Sequence, residues 1–189
     1  MFIGKGYPEK TIGEVIDNKI KRVSKVFEKT DTIQYLDISS IDNVRKVVIG
    51  LTPYVLKDAP SRAQYILETG DILYSTVRPN LQNIAINLST EHNVIGSTGF
   101  CILRCTEVSK GYMWGVITSD AFTNAMVSQA AGANYPAVTD KVVHAFKIPI
   151  PPKADQEAFE ELYKQSDKSK QIDALHHHRI PCANQNTWQ

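Results

Sequence analysis

Apolar and polar positions divide this chain into an extended front half and a helical rear. Ile33-Gln34-Tyr35-Leu36-Asp37-Ile38 reads as a strand, closed by Ser39, Ser40 and Asp42-Asn43, whose short side chains bond nearby backbone and so favour turns. Val47 to Leu51 is a further strand candidate. Gly70-Asp71 is a turn, and Ile72 to Val77 is an apolar, β-branched run ended by Pro79. Leu81 to Asn87 sets Leu81, Asn83 and Ala85 against Gln82, Ile84 and Ile86; Phe100 to Cys105 sets Phe100, Ile102 and Arg104 against Cys101, Leu103 and Cys105. That period of two is the signature of sheet. Thr11 to Asp17 is ambiguous between a short helix and a strand.

After Lys110-Gly111 the pattern becomes helical. Tyr112 to Thr118 is one helix, and Ala121 to Ala130 is another behind Ser119 as N-cap with Asp120 in the first turn. Gly132 ends it, and Asn134-Tyr135-Pro136 forms a loop. Pro149, Pro151 and Pro152 exclude helix, whereas Ala154 to Leu175 holds no Gly or Pro and many helix formers. The expected class is therefore α+β: a β-rich body with several helices, followed by one protruding C-terminal helix. Phe159, Leu162, Ile172 and Leu175 recur at helical spacing along it, although Ser166 and Ser169 interrupt the seam. Packing back on its own domain and pairing with a partner helix are both open for this segment.

At 189 residues with 42% apolar content, the chain suits one domain with a substantial core and a small appendage. It has neither a membrane-length apolar run nor a signal peptide, so a cytoplasmic protein is expected. Three cysteines include Cys101 and Cys105 at a spacing that lacks a second zinc-ligand pair, which favours small buried apolar groups. The formal charge of +1 is far from a strongly basic balance. Lys19, Lys21, Arg22, Lys25 and Lys29 nevertheless fall in one stretch opposed only by Glu28, either a phosphate-contacting patch or a solvated face.

The chemistry-bearing loops are polar rather than catalytic. Arg78-Pro79-Asn80 follows the Ile72 to Val77 run and offers the side chains best suited to bidentate contact with phosphates or base edges. Gln82 and Asn83 continue this loop. Ser61, Arg62 and Gln64 form a second, and Asn134-Tyr135 a third. Each has a structural rival: Arg62 as a brace for a helix start, Arg78 as a tie for the following turn, Tyr135 as a cap on the core. His92, His144 and His176 to His178 show no metal-ligand pattern, and Gly4-Lys5-Gly6 runs into Tyr7-Pro8 instead of a nucleotide-binding helix.

Asp58 to Asn87, Ser97-Thr98-Gly99-Phe100, Ser119-Asp120-Ala121-Phe122, Gly132 to Val138 and Ile148-Pro149-Ile150-Pro151-Pro152 together resemble, in that order, a target recognition domain of the specificity subunit of type I restriction-modification enzymes. The resemblance implies a non-catalytic reader of double-stranded DNA that directs separate modification (methyltransferase) and restriction subunits. S-adenosylmethionine and ATP would be used on those subunits, so no cofactor is expected here. It implies residues 1–152 as the recognition domain, 153–178 as a coiled-coil spacer or dimerisation helix, and 179–189 as a polar tail. Full subunits of the family carry two recognition domains, and this chain looks like one half, able to supply the second by homodimerisation through the helix. The expected DNA contacts are Arg62, Arg78, Asn80, Asn83, Asn134 and Tyr135, with Lys21 and Lys25 on phosphate; Phe159, Leu162, Ile172 and Leu175 would face a partner helix. The rival reading is an interaction or regulatory module that uses the C-terminal helix without binding DNA.

Overall fold

A computed structural model describes residues 6–162. In chain order the strands are β1 (Glu9–Thr11), β2 (Thr32–Leu36), β3 (Ile41–Asp42), β4 (Val47–Val48), β5 (Thr52–Val55), β6 (Ala63–Ile66), β7 (Ile72–Ser75), β8 (Ile84–Ile86), β9 (Val94–Ser97) and β10 (Phe100–Leu103). Helices α1 (Lys110–Ile117), α2 (Asp120–Gln129) and α3 (Asp140–His144) follow, then β11 (Lys147–Pro149) and a helix, α4, over residues 153–162. The α+β class expected from the sequence holds.

A four-stranded sheet in the order β5-β2-β9-β6 stacks on a three-stranded sheet in the order β10-β7-β8, and the helices cover the far side of the latter. The β2–β9 pair is parallel; the other pairs within these two sheets are antiparallel. The period of two now has a cause. Ile72, Tyr74, Ile84, Cys101 and Leu103 face the helices, while Leu73, Ala85, Phe100 and Ile102 face the other sheet. The three-stranded sheet is thus apolar on both sides, and each large side chain contributes roughly 1.5–3 kcal/mol by leaving water. The outer face of the four-stranded sheet buries Ile33, Tyr35 and Ile95 beneath a 3-10 turn, Val23–Lys25.

Several boundaries differ from the sequence reading. Thr11 to Asp17 is neither a single helix nor a single strand: β1 gives way to a 3-10 turn, Ile12–Glu14, and Ile16 makes an isolated bridge to Cys105. The strand expected over Val47 to Leu51 is only Val47–Val48, the second arm of a β3–β4 hairpin, with β5 starting at Thr52. Pro79–Leu81 is a 3-10 turn, which delays β8 to Ile84. Ser119 caps α2 as expected, its Oγ accepting from the Phe122 N–H at 3.2 Å.

Helix α4 starts directly after Pro152, and through residue 162 it lies against α1. Gly111 and Gly115 clear a track for it: a Cβ on Gly111 would sit 2.2 Å from Glu160 Cγ, and one on Gly115 2.3 Å from the Phe159 ring. Phe159 meets Tyr112 edge-to-face at 6.2 Å between ring centres. Gln156 is buried, accepting from the Ser109 N–H at 2.8 Å and donating to the Pro151 carbonyl at 2.9 Å. Phe159 therefore packs within its own domain, whereas Leu162 is 66% exposed; Ile172 and Leu175 lie outside the described residues. No described helix is long and apolar enough to cross a membrane.

Candidate nucleic-acid interface

Strand polarity gathers the candidate loops at one end of the stacked sheets. Leu36 pairs with Gly96, Ala63 with Ser97, Phe100 with Ser75, and Tyr74 with Ile84. Hence β2, β7 and β9 end, and β6, β8 and β10 begin, on the same side. Backbone bonds then knit the loops into one rim: Thr98 N–H to the Arg62 carbonyl at 2.9 Å, Thr76 N–H to the Gly99 carbonyl at 3.0 Å, and Arg78 N–H to the Pro136 carbonyl at 2.7 Å. Loops distant in sequence become neighbours, so Arg62, Arg78, Asn80 and Asn134 share one exposed rim.

Three non-glycine residues have positive φ among those described, and all three belong to this rim: Lys46 at 54°, Arg78 at 50° and Gln82 at 49°. Each such backbone costs roughly 1–3 kcal/mol and persists only where surrounding contacts over-determine it. Here Lys46 and Gln82 are braced by side-chain bonds. Lys46 Nζ donates to Gln82 Oε1 at 3.0 Å, Gln82 Nε2 donates to Thr123 Oγ1 at 2.7 Å on α2, and Asn43 Nδ2 donates to the Leu81 carbonyl at 3.1 Å. Pro79 is buried at the base of the loop and leaves Asn80 exposed.

The Arg78 guanidinium lies 4.6 Å from the centre of the Tyr135 ring and donates to the Asn134 carbonyl at 3.3 Å. Stacking of this kind is worth about 0.5–1 kcal/mol at an exposed site and orients the fork without neutralising it. Tyr135 is 68% exposed, so it carries Arg78 rather than capping the core. Asn83 is half-buried, with its carbonyl accepting from the Ser75 N–H at 3.0 Å. Arg62 lies in the turn immediately before β6 rather than bracing a helix, and it is exposed.

The basic stretch flanks the Arg62 loop. Ile66 N–H donates to the Lys21 carbonyl at 2.9 Å, and Arg22 sits 5.4 Å from the Tyr65 ring centre, which ties Lys21 and Arg22 along the β6 edge. Val23 and Ser24 line a shallow groove with Pro60, Ser61 and Gln64. Lys21 and Lys25 are exposed beside it. Sequence reasoning missed Lys46 and Asn43 and gave Gln82 only a place in a loop. Nothing local marks Lys46 as left-handed, because Gly or Asn normally signals that conformation.

A buried cluster lies elsewhere, between β10 and α3. Cys101 Sγ is 3.4 Å from His144 Nε2, with Asp140 beside both, a grouping that the spacing in sequence concealed. Burial pushes the Cys101 thiol far up and His144 down, leaving a thiol beside a neutral imidazole rather than a thiolate nucleophile. Cys101 is fully buried and Cys105 half-buried, as the apolar reading expected.

No family model matches the sequence, and no curated protein does. Solved structures do match. A chain from work on complex assembly and conformational transition of the type I R-M system aligns with a TM-score of 0.79 at 28% identity, over 92% of this chain and 45% of that one. The HsdS subunit from Thermoanaerobacter tengcongensis aligns with a TM-score of 0.76 at 28% identity, over 94% of this chain and 48% of that one. This chain has the target-recognition fold of type I specificity subunits. It spans about half the length of the solved chains it matches. The recognition-domain rim is thus built on loops, the part of a rigid scaffold that most readily carries binding chemistry.

Proposed function

We propose that this chain is a sequence-specific DNA reader, the specificity component of a type I restriction-modification enzyme, and that it directs separate modification and restriction subunits without catalysing either reaction. The observation that carries this reading is the exposed rim itself, with Arg62, Arg78 and Asn80 on loops braced by mutual hydrogen bonds, on a scaffold similar to HsdS. Arg pairs with guanine O6 and N7, and Asn with adenine N6 and N7, in a major groove that distinguishes all four base pairs. In this reading Asn83, Asn134 and Tyr135 shape the loops that present those groups. Lys21 and Lys25 lie to one side, where contacts to phosphate set register without reading sequence.

Residues 1–152 serve as the recognition domain, 153–178 as spacer or pairing helix and 179–189 as a tail. A second half-site is supplied by a two-fold homodimer, optionally clamped by the modification subunit. Since Phe159 packs on Tyr112, the seam uses Leu162 and residues beyond it. Titrating the chain into mixed duplex at low salt, followed by recovery of bound sequences from a random pool, tests the reading. Salt-sensitive binding with an enriched sequence is expected. No binding, alone or with the modification subunit, would favour an interaction module that uses the C-terminal helix.

A further inference from the structure

The β3–β4 hairpin ends in an apolar and basic tip that the fold leaves unused. Val44 is 87% exposed, the neighbouring Ile49 63% and Leu81 41%. Arg45 is exposed and pairs with no carboxylate among the described residues. The tip is nevertheless held firmly. Asp42 Oδ1 accepts from the Val44 N–H at 3.0 Å and the Arg45 N–H at 2.9 Å. Asn43 and Lys46 tie it to Leu81 and Gln82, within the loop that presents Arg78 and Asn80. Ile41 is buried at the base of the hairpin. Val44 is thus an apolar group held in place beside the rim that carries the arginines.

We propose that the β3–β4 hairpin enters the major groove, where Val44 packs on the C5-methyl of a thymine and Arg45 donates to an adjacent guanine. A two-stranded ribbon fits that groove, and the thymine methyl is the apolar group displayed on its floor. The hairpin's own cations beside Val44, Arg45 and Lys46, complement a polyanion and would be desolvated at a cost by an apolar protein surface. This inference rests on the DNA-reading assignment above and adds to it two residues and the chemical group each would read.

The test uses the full chain, alone and with the modification subunit of its own cell. A bound sequence is selected from random duplex, and each of its thymines is replaced singly by deoxyuridine, which lacks only the methyl. One replacement should weaken wild-type binding by about 4-fold, the worth of one buried methyl group, and leave Val44→Ser unaffected. Arg45→Ala should relax selection at one neighbouring G·C pair. Because both side chains are exposed, thermal unfolding of the variants should match wild type and serves as the folding control. A wild type that selects a sequence yet tolerates every deoxyuridine, or a Val44→Ser variant that keeps the same penalty, overturns the hairpin's role while leaving DNA reading intact. A wild type that selects no sequence removes the DNA-reading assignment, and the hairpin proposal falls with it.

Discussion

Arg104 and Arg78 follow opposite ends of the β7–β10 ladder, and their surroundings differ completely. Arg104 is clamped by Asp71, Nε to Oδ1 and a terminal nitrogen to Oδ2 both at 2.8 Å, and pairs with Glu68 at 2.7 Å. Its side chain is 17% exposed and that of Asp71 is 2% exposed. Asp71 and Glu68 hold the guanidinium in the charged form, Asp71 more strongly. Arg78 instead rests on an exposed tyrosine and one carbonyl, with no carboxylate partner among the described residues. The first arginine has its donors committed to the scaffold. The second is exposed and commits one donor to a carbonyl, which leaves the others for a group such as phosphate or a base edge. The contrast separates scaffold from proposed reader better than residue type does.

The largest effect should come from the scaffold side. Arg104→Ala leaves the buried Asp71 carboxylate with the Glu68 N–H, at 2.7 Å, but without its counter-charge, and should cost about 3 kcal/mol of stability, measured by denaturant unfolding. At a temperature where the variant is folded, its DNA preference should be unchanged; an altered sequence preference would break the comparison.

On the reading side, Arg78→Ala should cost about 0.5–1 kcal/mol of stability, the worth of its stacking on Tyr135. Arg62→Ala, Arg78→Ala and Asn80→Ala should each lose ~1–3 kcal/mol on the selected sequence and little on random duplex. Equal losses on both, read by fluorescence anisotropy, would reassign that residue to phosphate contact or scaffold.

Weaker still, Lys21→Ala and Lys25→Ala should reduce binding to both duplexes equally and lower the salt-dependence slope by about one each. A sequence-dependent loss would move the basic stretch from register to reading.

The smallest effect belongs to Leu162→Asp. Its exposure predicts a change of stability within about 0.5 kcal/mol. Light scattering should nonetheless show loss of any homodimer built on the α4 seam, and a dimer that survives the charge would rule that seam out.

Much of the scaffold was legible because the period of two is imposed directly by the strand. Phe100 and Ile102 on one face and Cys101 and Leu103 on the other are buried in two different cores, and Ser119 caps the helix it was expected to cap. Proline at 149, 151 and 152 marked the start of α4 for the equally local reason that its ring excludes helix. Arg78-Pro79-Asn80 was recognisable as an exposed polar loop, and the ordered motifs pointed to the right fold.

What only the tertiary structure decided is which distant groups meet and which backbone is strained. Gly111 and Gly115 carry no marker of the helix laid over them, so the docking of Phe159 depended on the path of the chain after Pro152. Cys101 and His144 met through packing, and Lys46, with its left-handed backbone, donates from its ammonium to Gln82 on a loop distant in sequence. Local sequence sets periodicity, caps and breaks because these act within a turn or a pleat. The exposed rim proposed to read DNA arises from strand order and polarity, which depend on burying two faces of one sheet at once, and no single segment contains that condition.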